Sequence, residues 1–563
     1  MSHGPLDAAI AERLARWDEE RVAERLWAKD GSLWAASGKD PDDLSRWLGW
    51  LDLPSSMAGR VADLEHLARD VREDGYTRAA VLGMGGSSLA PELFARTFPG
   101  HGLELRILDS TNPDAVREFR DWAQAARTLF CVSSKSGSTT EPNAFHAAMS
   151  AFAPALDFLA ITDPGSSLAE VARGQEFRGI VDGPPDVGGR YSALSVFGLV
   201  PAALHGVDLD ALLRQAQAMA DACHRPASAN PGLRLGAFVG EAAATGRDKL
   251  TIITTRRLAS FGDWAEQLIA ESTGKQGRGI VPIVGEPQQD AERYGTDRAF
   301  IVMTLDEPAA PELAELAELA DLASALEGLG HPVTRIGIGD PHELGGEFVR
   351  WEVATAAAGM ILEIDPFDQP NVQESKDATR ELLDAFRADG HLPAPEPLAE
   401  RDGISAYGDP SVVGNPADPT AAVAELLSRV GAGDYLAELA YLPRTETHVE
   451  RLQQIRAQLA AGSGLATTLG FGPRFLHSTG QLHKGGPPSG VFLQLTAEPE
   501  RDLPIPGWSE TFGTLVAAQA LGDLRSLQGR GRRVLRLHGA DADTLLTALE
   551  SMVSGALRAG IGS

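Results

Sequence analysis

Phe130-Cys131-Val132-Ser133-Ser134-Lys135-Ser136-Gly137-Ser138-Thr139-Thr140-Glu141-Pro142 passes from an apolar run into a polar loop and then into helix-like sequence near Pro142. Six of the eight residues from Ser133 to Thr140 carry hydroxyls, and the other two are a lysine and a glycine. Backbone amides at a helix start point at an anion, hydroxyls add donors, and a glycine lets the backbone approach closely. The stretch therefore reads as a strand, a phosphate cradle and a helix in succession.

Outward from this loop the same rhythm repeats. Upstream, Ala79-Ala80-Val81-Leu82 is a buried-strand candidate, and Gly83-Met84-Gly85-Gly86-Ser87-Ser88 turns into a helix near Leu89-Ala90-Pro91-Glu92. Leu103 to Leu108, Leu129 to Val132 and Phe158 to Ile161 are further strands, each followed by helix-like sequence. Such alternation predicts an α/β fold with a parallel sheet covered by helices on both faces and ligands at the carboxyl ends of the strands. The glycine loop lacks the third glycine of a dinucleotide fingerprint, and no G-x-x-x-x-G-K-[ST] loop is present, so nucleotide binding has little support.

Downstream lies Asp186-Val187-Gly188-Gly189-Arg190-Tyr191-Ser192, where two glycines let the backbone approach a ligand that the guanidinium could reach. Helical sequence from about Leu209 to Thr245 leads to a second alternating unit. It runs from Lys249 to Thr254, through a helix at Phe261 to Ala270, into Glu271-Ser272-Thr273-Gly274-Lys275, then strands at Ile280 to Val284 and Ala299 to Leu305. Two facing α/β halves leave a cleft between them. Asp365-Pro366-Phe367-Asp368-Gln369 and the residues to Lys376 end this unit, and Gly390 to Pro419 reads as a linker. A third alternating set follows, with strands near Tyr435, Leu465, Val491 and Val534 and the polar segment Leu476-His477-Ser478-Thr479-Gly480-Gln481-Leu482-His483. The expected division is 1–75 helical, 76–245 and 246–390 as two sheet domains, and 391–563 as a C-terminal α/β segment. In the helical segment Trp17, Trp27, Trp34, Trp47 and Trp50 are expected to pack it onto a neighbour rather than bind a ligand.

At 563 residues the chain is long enough for two or three domains. A net charge of −28, spread along the chain, disfavours nucleic acid and anionic membranes as partners, so an anionic ligand must be drawn by local groups such as Lys135. Only Cys131 and Cys223 are present, matching neither a zinc pattern nor a disulfide framework. The N-terminus, Met1 to Asp7, has no basic segment followed by an apolar one, and the protein is expected in the cytoplasm.

Taken together, five stretches resemble the phosphosugar-binding (SIS) fold of the glucose-6-phosphate isomerase family: Gly83-Met84-Gly85-Gly86-Ser87, Ser134-Lys135-Ser136-Gly137-Ser138-Thr139, Gly188-Gly189-Arg190-Tyr191-Ser192, Glu271-Ser272-Thr273-Gly274-Lys275, and Phe367-Asp368-Gln369 with Lys376. The remainder is most similar to the isomerase portion of fused transaldolase/glucose-6-phosphate isomerase proteins. The resemblance implies two SIS-type three-layer sandwiches, a hexose phosphate as ligand, no cofactor or metal, and a homodimer. It puts the sugar phosphate on Ser87, Ser134, Lys135, Ser136 and Thr139, has Glu141 lining the sugar site, and adds Gly86 and Gly189 to the substrate-binding residues. Glu271 matches the family's base, Arg190 the cation beside it and Lys376 a residue near the ring oxygen. The aldose–ketose chemistry suits these types: one carboxylate can carry a proton from C2 to C1 through an enediol.

One departure stands out. The family's ring-opening histidine, expected soon after the catalytic glutamate, is missing from Gly285 to Tyr294. His477 is the candidate, ahead of His483, because it opens the polar segment just after a Gly/Pro turn. Two other readings remain open at this point: activity on mannose 6-phosphate as well, with Thr273 deciding the C2 configuration, and a non-catalytic phosphosugar sensor needing none of Glu271, Arg190 and Lys376.

Overall fold

The computed structural model describes residues 4–306 and 310–559. Met1, Ser2 and His3, part of the Met1 to Asp7 stretch in which no basic segment is followed by an apolar one, lie outside the described residues. Three sheets organise the chain. The first contains β1 (Arg78–Leu82), β2 (Glu104–Leu108), β3 (Thr128–Ser133), β4 (Phe158–Thr162) and β5 (Gly179–Asp182), all parallel, in the order β2-β1-β3-β4-β5. β3 and β4 are buried along their whole length, as expected of strands covered on both faces. The second contains β6 (Lys249–Thr254), β7 (Val281–Val284), β8 (Arg298–Leu305) and β9 (Val333–Ile338), parallel in the order β7-β6-β8-β9. Each order reverses at its first strand, which opens a crevice at the strands' carboxyl ends.

The third sheet holds β10 (Ala399–Arg401), β11 (Ile404–Gly408), β12 (Tyr435–Tyr441), β13 (Ala466–Phe471), β14 (Gly490–Ala497) and β15 (Arg533–Gly539), in the order β10-β11-β15-β14-β12-β13. Strands β12 to β15 pair in parallel, whereas β11 joins β15 antiparallel. The stretch from Gly390 to Pro419 is therefore not a plain linker, because it carries β10 and β11. Its Gly, Pro and Asp content reflects the hairpin turn at Asp402-Gly403, where both residues have positive φ, and not flexibility along its length.

Before the first sheet come short helices, including Asp7–Glu19, Val22–Trp27 and Val61–Glu73. Between the first two of these the chain breaks at Arg21, which takes a left-handed conformation (φ 55°). Trp17, Trp34 and Trp50 are buried, Trp34 donating from Nε1 to the Ala356 carbonyl at 2.8 Å and Trp50 stacking on Tyr191. Trp27 stacks on His224, while Trp47 is 40% exposed and fastens nothing.

The third sheet meets the second along a polar seam. Glu286, just past β7, accepts from Arg298 and from both the backbone N–H and the hydroxyl of Thr467 on β13. Arg456 donates to the carbonyls of Val284 and Gly285 and, by Nε, to the Thr467 hydroxyl. The Gly285–Tyr294 run, which carries no histidine, thus serves as a joint. Removing one member would leave the others buried and unpaired, which costs far more than an exposed pair contributes.

Within β12, Glu438 is buried with no hydrogen-bond partner for either carboxyl oxygen. Burial raises its pKa to about 8, against ~4.3 for a free glutamate. The fold therefore holds a proton that the unfolded chain gives up, and stability falls as pH rises from about 4.3 to about 8. Glu438→Gln should remove that part of the slope and stabilise the protein near pH 8 by an amount on the order of a few kcal/mol, measured by thermal or denaturant unfolding across this range.

Among the described residues no helix is long and apolar enough to cross a membrane.

Candidate active site

β3 ends at Ser133, and the hydroxyl loop then crosses to the helix Thr140–Ser150. Gly137 has φ +70°, and a Cβ there would press on the backbone N of Leu168, so the tight turn requires glycine. Ser134 Oγ donates to Thr139 Oγ1 at 3.0 Å, closing the loop on itself. Thr139, the helix N-cap, makes no side-chain cap, so the first amides of the helix are left for another acceptor. Ser138, Thr139 and Thr140 face a cavity of about 370 Å³ whose wall also includes Glu141, Lys376, His477, Trp508 and Gln519.

Lys135 does not join them. Its ammonium pairs with Asp163 at 2.5 Å and donates to the Pro184 carbonyl at 2.9 Å. The charge expected to draw an anion is thus compensated inside the protein. Ser136 is exposed, with Oγ 3.0 Å from that of Ser138.

The glycine loop after β1 lies against the Gly188-Gly189-Arg190 turn so closely that any side chain at Gly86 would collide with the Gly189 carbonyl. Ser87 stands beside this contact and is buried. Arg190 itself is 3% exposed and held on every side: Nε donates to Ser272 Oγ at 2.7 Å, Nη1 to Gln369 Oε1 at 2.9 Å, and Nη2 to the Pro366 and Asp368 carbonyls. Its Nη1 is 3.7 Å from Glu271 Oε1. Such clamping fixes the guanidinium plane, which a flexible lysine could not match.

Glu271 sits near the C-terminal end of the helix Ala259–Thr273, 8% exposed. Its other oxygen, Oε2, accepts from Gln267 Nε2 at 3.2 Å, and the same nitrogen donates to the His477 carbonyl at 2.7 Å. Gln267 thereby joins the second sheet's helix to the turn that carries His477. Sequence reading missed Gln267, although its place four residues before Glu271, on the same helix face, was an available signal.

His477 ends the short helical turn Arg474–His477 that follows β13. Its Nε2 lies 3.1 Å from Glu141 Oε1, across 336 residues of sequence. Glu141 Oε1 also accepts from Gln519 Nε2 at 2.7 Å, while Thr111 Oγ1 donates to Gln519 Oε1 at 2.7 Å. Burial would raise the Glu141 pKa, but His477 and Lys376 outweigh it and hold the carboxyl below its ordinary value. Thr111 and Gln519 were not foreseen.

His483 is somewhere else entirely. It is packed between Phe475 and Phe492, 2% exposed, and burial pushes its pKa well below the usual histidine value. Thr273 is also occupied: its hydroxyl donates to the Ile269 carbonyl at 2.8 Å and accepts from the Ile280 N–H at 3.0 Å. It has no free donor for a sugar hydroxyl, which removes the basis for a choice of C2 configuration there. Behind Arg190, Lys275 donates to Asp368 Oδ1 at 2.8 Å, and burial beside Arg190 lowers its pKa to about 8. Among the described residues no group of three or more His, Cys, Asp or Glu side chains is arranged to hold a metal ion.

The first sheet supplies the anion loop and Glu141, the second supplies Glu271, and the third supplies His477 and Gln519. Glu271 stands beside the fixed arginine, and Gln267 links it to the turn that bears His477, whose partner Glu141 lines the cavity with Ser138, Thr139 and Thr140. No protein-family model matches the chain. Among solved structures, a hypothetical protein from Thermus thermophilus superposes with a TM-score of 0.57 at 24% identity, covering 68% of this chain and 99% of that one. A glucose-6-phosphate isomerase from Chlamydia trachomatis superposes with a TM-score of 0.53 at 19% identity, covering 68% and 87%. Both share the fold. By sequence, the glucose-6-phosphate isomerase of Rubrobacter xylanophilus is 30% identical over 410 residues, 64% of this chain and 92% of that protein. That of Citrifermentans bemidjiense is 30% identical over 426 residues, 68% and 79% respectively. With likeness of this extent added to the site geometry, the chain belongs to the glucose-6-phosphate isomerase family.

Proposed function

We propose that the protein interconverts D-glucose 6-phosphate and D-fructose 6-phosphate by proton transfer through an enediolate. The observation that carries this reading is the linkage of two acid–base sets, Glu271 with Arg190 and His477 with Glu141, through Gln267, whose amide nitrogen donates both to Glu271 and to the His477 carbonyl. The hydroxyls of Ser138 and Thr139 and the helix start at Thr140, all on the cavity wall, take the phosphate. Binding there orients carbons 1 and 2 against Glu271, so that remote binding energy is used to position the reacting atoms. His477, oriented by Glu141, moves the proton between the ring oxygen and the C1 hydroxyl, and Lys376 stands in the same cavity to favour negative charge on the opened sugar. Glu271 then takes the C2 proton and returns it at C1, while the proton of the C2 hydroxyl passes to the C1 oxygen, so that C1 becomes the hydroxymethyl carbon and C2 the carbonyl. Arg190 offsets the charge of the enediolate, and its clamped guanidinium needs no rearrangement as that charge develops.

A coupled assay in each direction on the purified protein tests the reading, and absence of interconversion overturns it. His477→Asn should lower kcat about 100-fold with substrate binding retained, because the ring must then open without its acid–base group. The finer parts of the proposal are a homodimer, checked by light scattering, and a cytoplasmic location, supported by two buried free cysteines.

A further inference from the structure

The carboxylate that partners His477 is itself held from the far end of the chain. We infer that Gln519 is a positioning residue for the ring-opening pair, acting through Glu141, with Thr111 fixing which way its amide points. The inference deepens the isomerase reading and rests on it.

Gln519 lies on the helix Phe512–Gly529, is 2% exposed, and faces the cleft beside Glu141 and His477. A glutamine amide can be turned either way, and its neighbours decide. Here the Thr111 hydroxyl, itself buried, donates to Oε1 at 2.7 Å, so the amide nitrogen is directed at Glu141 Oε1, also 2.7 Å away. Reversed, Gln519 would bring its carbonyl oxygen against a buried carboxylate.

Glu141 Oε1 therefore accepts two donors, Gln519 Nε2 and His477 Nε2, and is fixed between them. One oxygen held in this way sets the imidazole's orientation and assigns the proton on Nε2 to Glu141, which leaves the other ring nitrogen to serve the substrate. A donated hydrogen bond also favours the ionised carboxylate. The charged groups acting on Glu141 are His477 from the turn after β13 and Lys376 from the helix Pro370–Asp389, with Arg380, Asp384 and Arg387 of that helix farther along the same cavity.

Steady-state kinetics of the full chain between pH 5 and 9 test this, with wild type, Gln519→Leu, Gln519→Glu, Thr111→Val and Thr111→Ser compared and folding verified by thermal unfolding. Gln519→Leu should lower kcat about tenfold or more with KM within about threefold, and move the acid limb of the profile to higher pH as Glu141 becomes easier to protonate. Gln519→Glu should lower kcat further, because two carboxylates at that separation share a proton. Thr111→Val should act like Gln519→Leu but more weakly, and Thr111→Ser, which keeps the hydroxyl, should restore wild-type behaviour. The inference falls if Gln519→Leu stays within about twofold of wild type at every pH, if its loss leaves the profile's shape unchanged, or if Thr111→Ser is no better than Thr111→Val. An inactive wild type overturns the isomerase reading and this inference with it, whereas an active wild type with an indifferent Gln519→Leu overturns the inference alone.

Discussion

Glu271→Gln should cost about 1,000-fold in kcat while hexose phosphate still binds within about threefold of wild type. The substitution keeps the side chain's size and one oxygen but removes the base. Neither oxygen of Glu271 contributes to the anion loop, which is built from residues 134–140, so affinity rests on other groups. An amide in that position has one oxygen, which can still accept from Gln267, its nitrogen then lying toward Arg190, and the clamped guanidinium keeps its bonds to Ser272, Gln369, Pro366 and Asp368. Kinetics paired with calorimetric binding would check both halves of the expectation. Equal loss of binding and turnover would mean that Glu271 supports the cleft's structure and not the proton transfer.

The second large effect concerns stability. Arg474 opens the turn that ends at His477, and it pairs with Glu92 at 2.5 Å, Asp109 at 2.8 Å and Asp263 at 3.4 Å. These carboxylates come from the first and second sheet units, so one guanidinium ties all three parts together at the base of the site. Arg474, with Arg444 and Arg96, overcomes the burial of Glu92 and brings its pKa down to about 2, whereas burial raises that of Asp263. Arg474→Met leaves the carboxylates buried without their common partner and should destabilise the protein by about 3–5 kcal/mol. Arg474→Lys should recover little, because a point charge cannot reach three acceptors in one plane. Since Glu92 is ionised in the fold down to about pH 2, its share of this stability is present above the unfolded value of ~4.3 and is lost as pH falls toward 2. Denaturant unfolding at pH 7 and pH 3 would measure both.

What could be read from the sequence was local. β1, β3, β4 and β6 are short apolar runs that end in polar loops, and the loops at Ser134 and Gly188 declare their chemistry within a few residues. Glu271 and Arg190 were reachable because each lies in a compact motif. Pairing between distant residues was not: Glu141 meets His477 across 336 residues and Gln519 across 378, and no composition or spacing encodes either contact. Lys135 misled for a related reason. Its partner Asp163 is 28 residues away on the loop after β4, and the fold neutralises the lysine's charge there. The two histidines of the Leu476–His483 segment looked alike in sequence, yet the helical turn exposes one to the cleft and the next helix, Gly480–Gly485, buries the other among aromatic rings.

Transfer of a proton between C1 and C2 by Glu271 through an enediolate is the step on which the proposed function turns. It is tested most directly by incubating the protein with glucose 6-phosphate in deuterium oxide and following C1 and C2 by NMR over many turnovers. Deuterium should enter the sugar at these carbons with wild type, and none should enter with Glu271→Gln. Interconversion with both carbons free of deuterium after many turnovers, or undiminished labelling by Glu271→Gln, would contradict it.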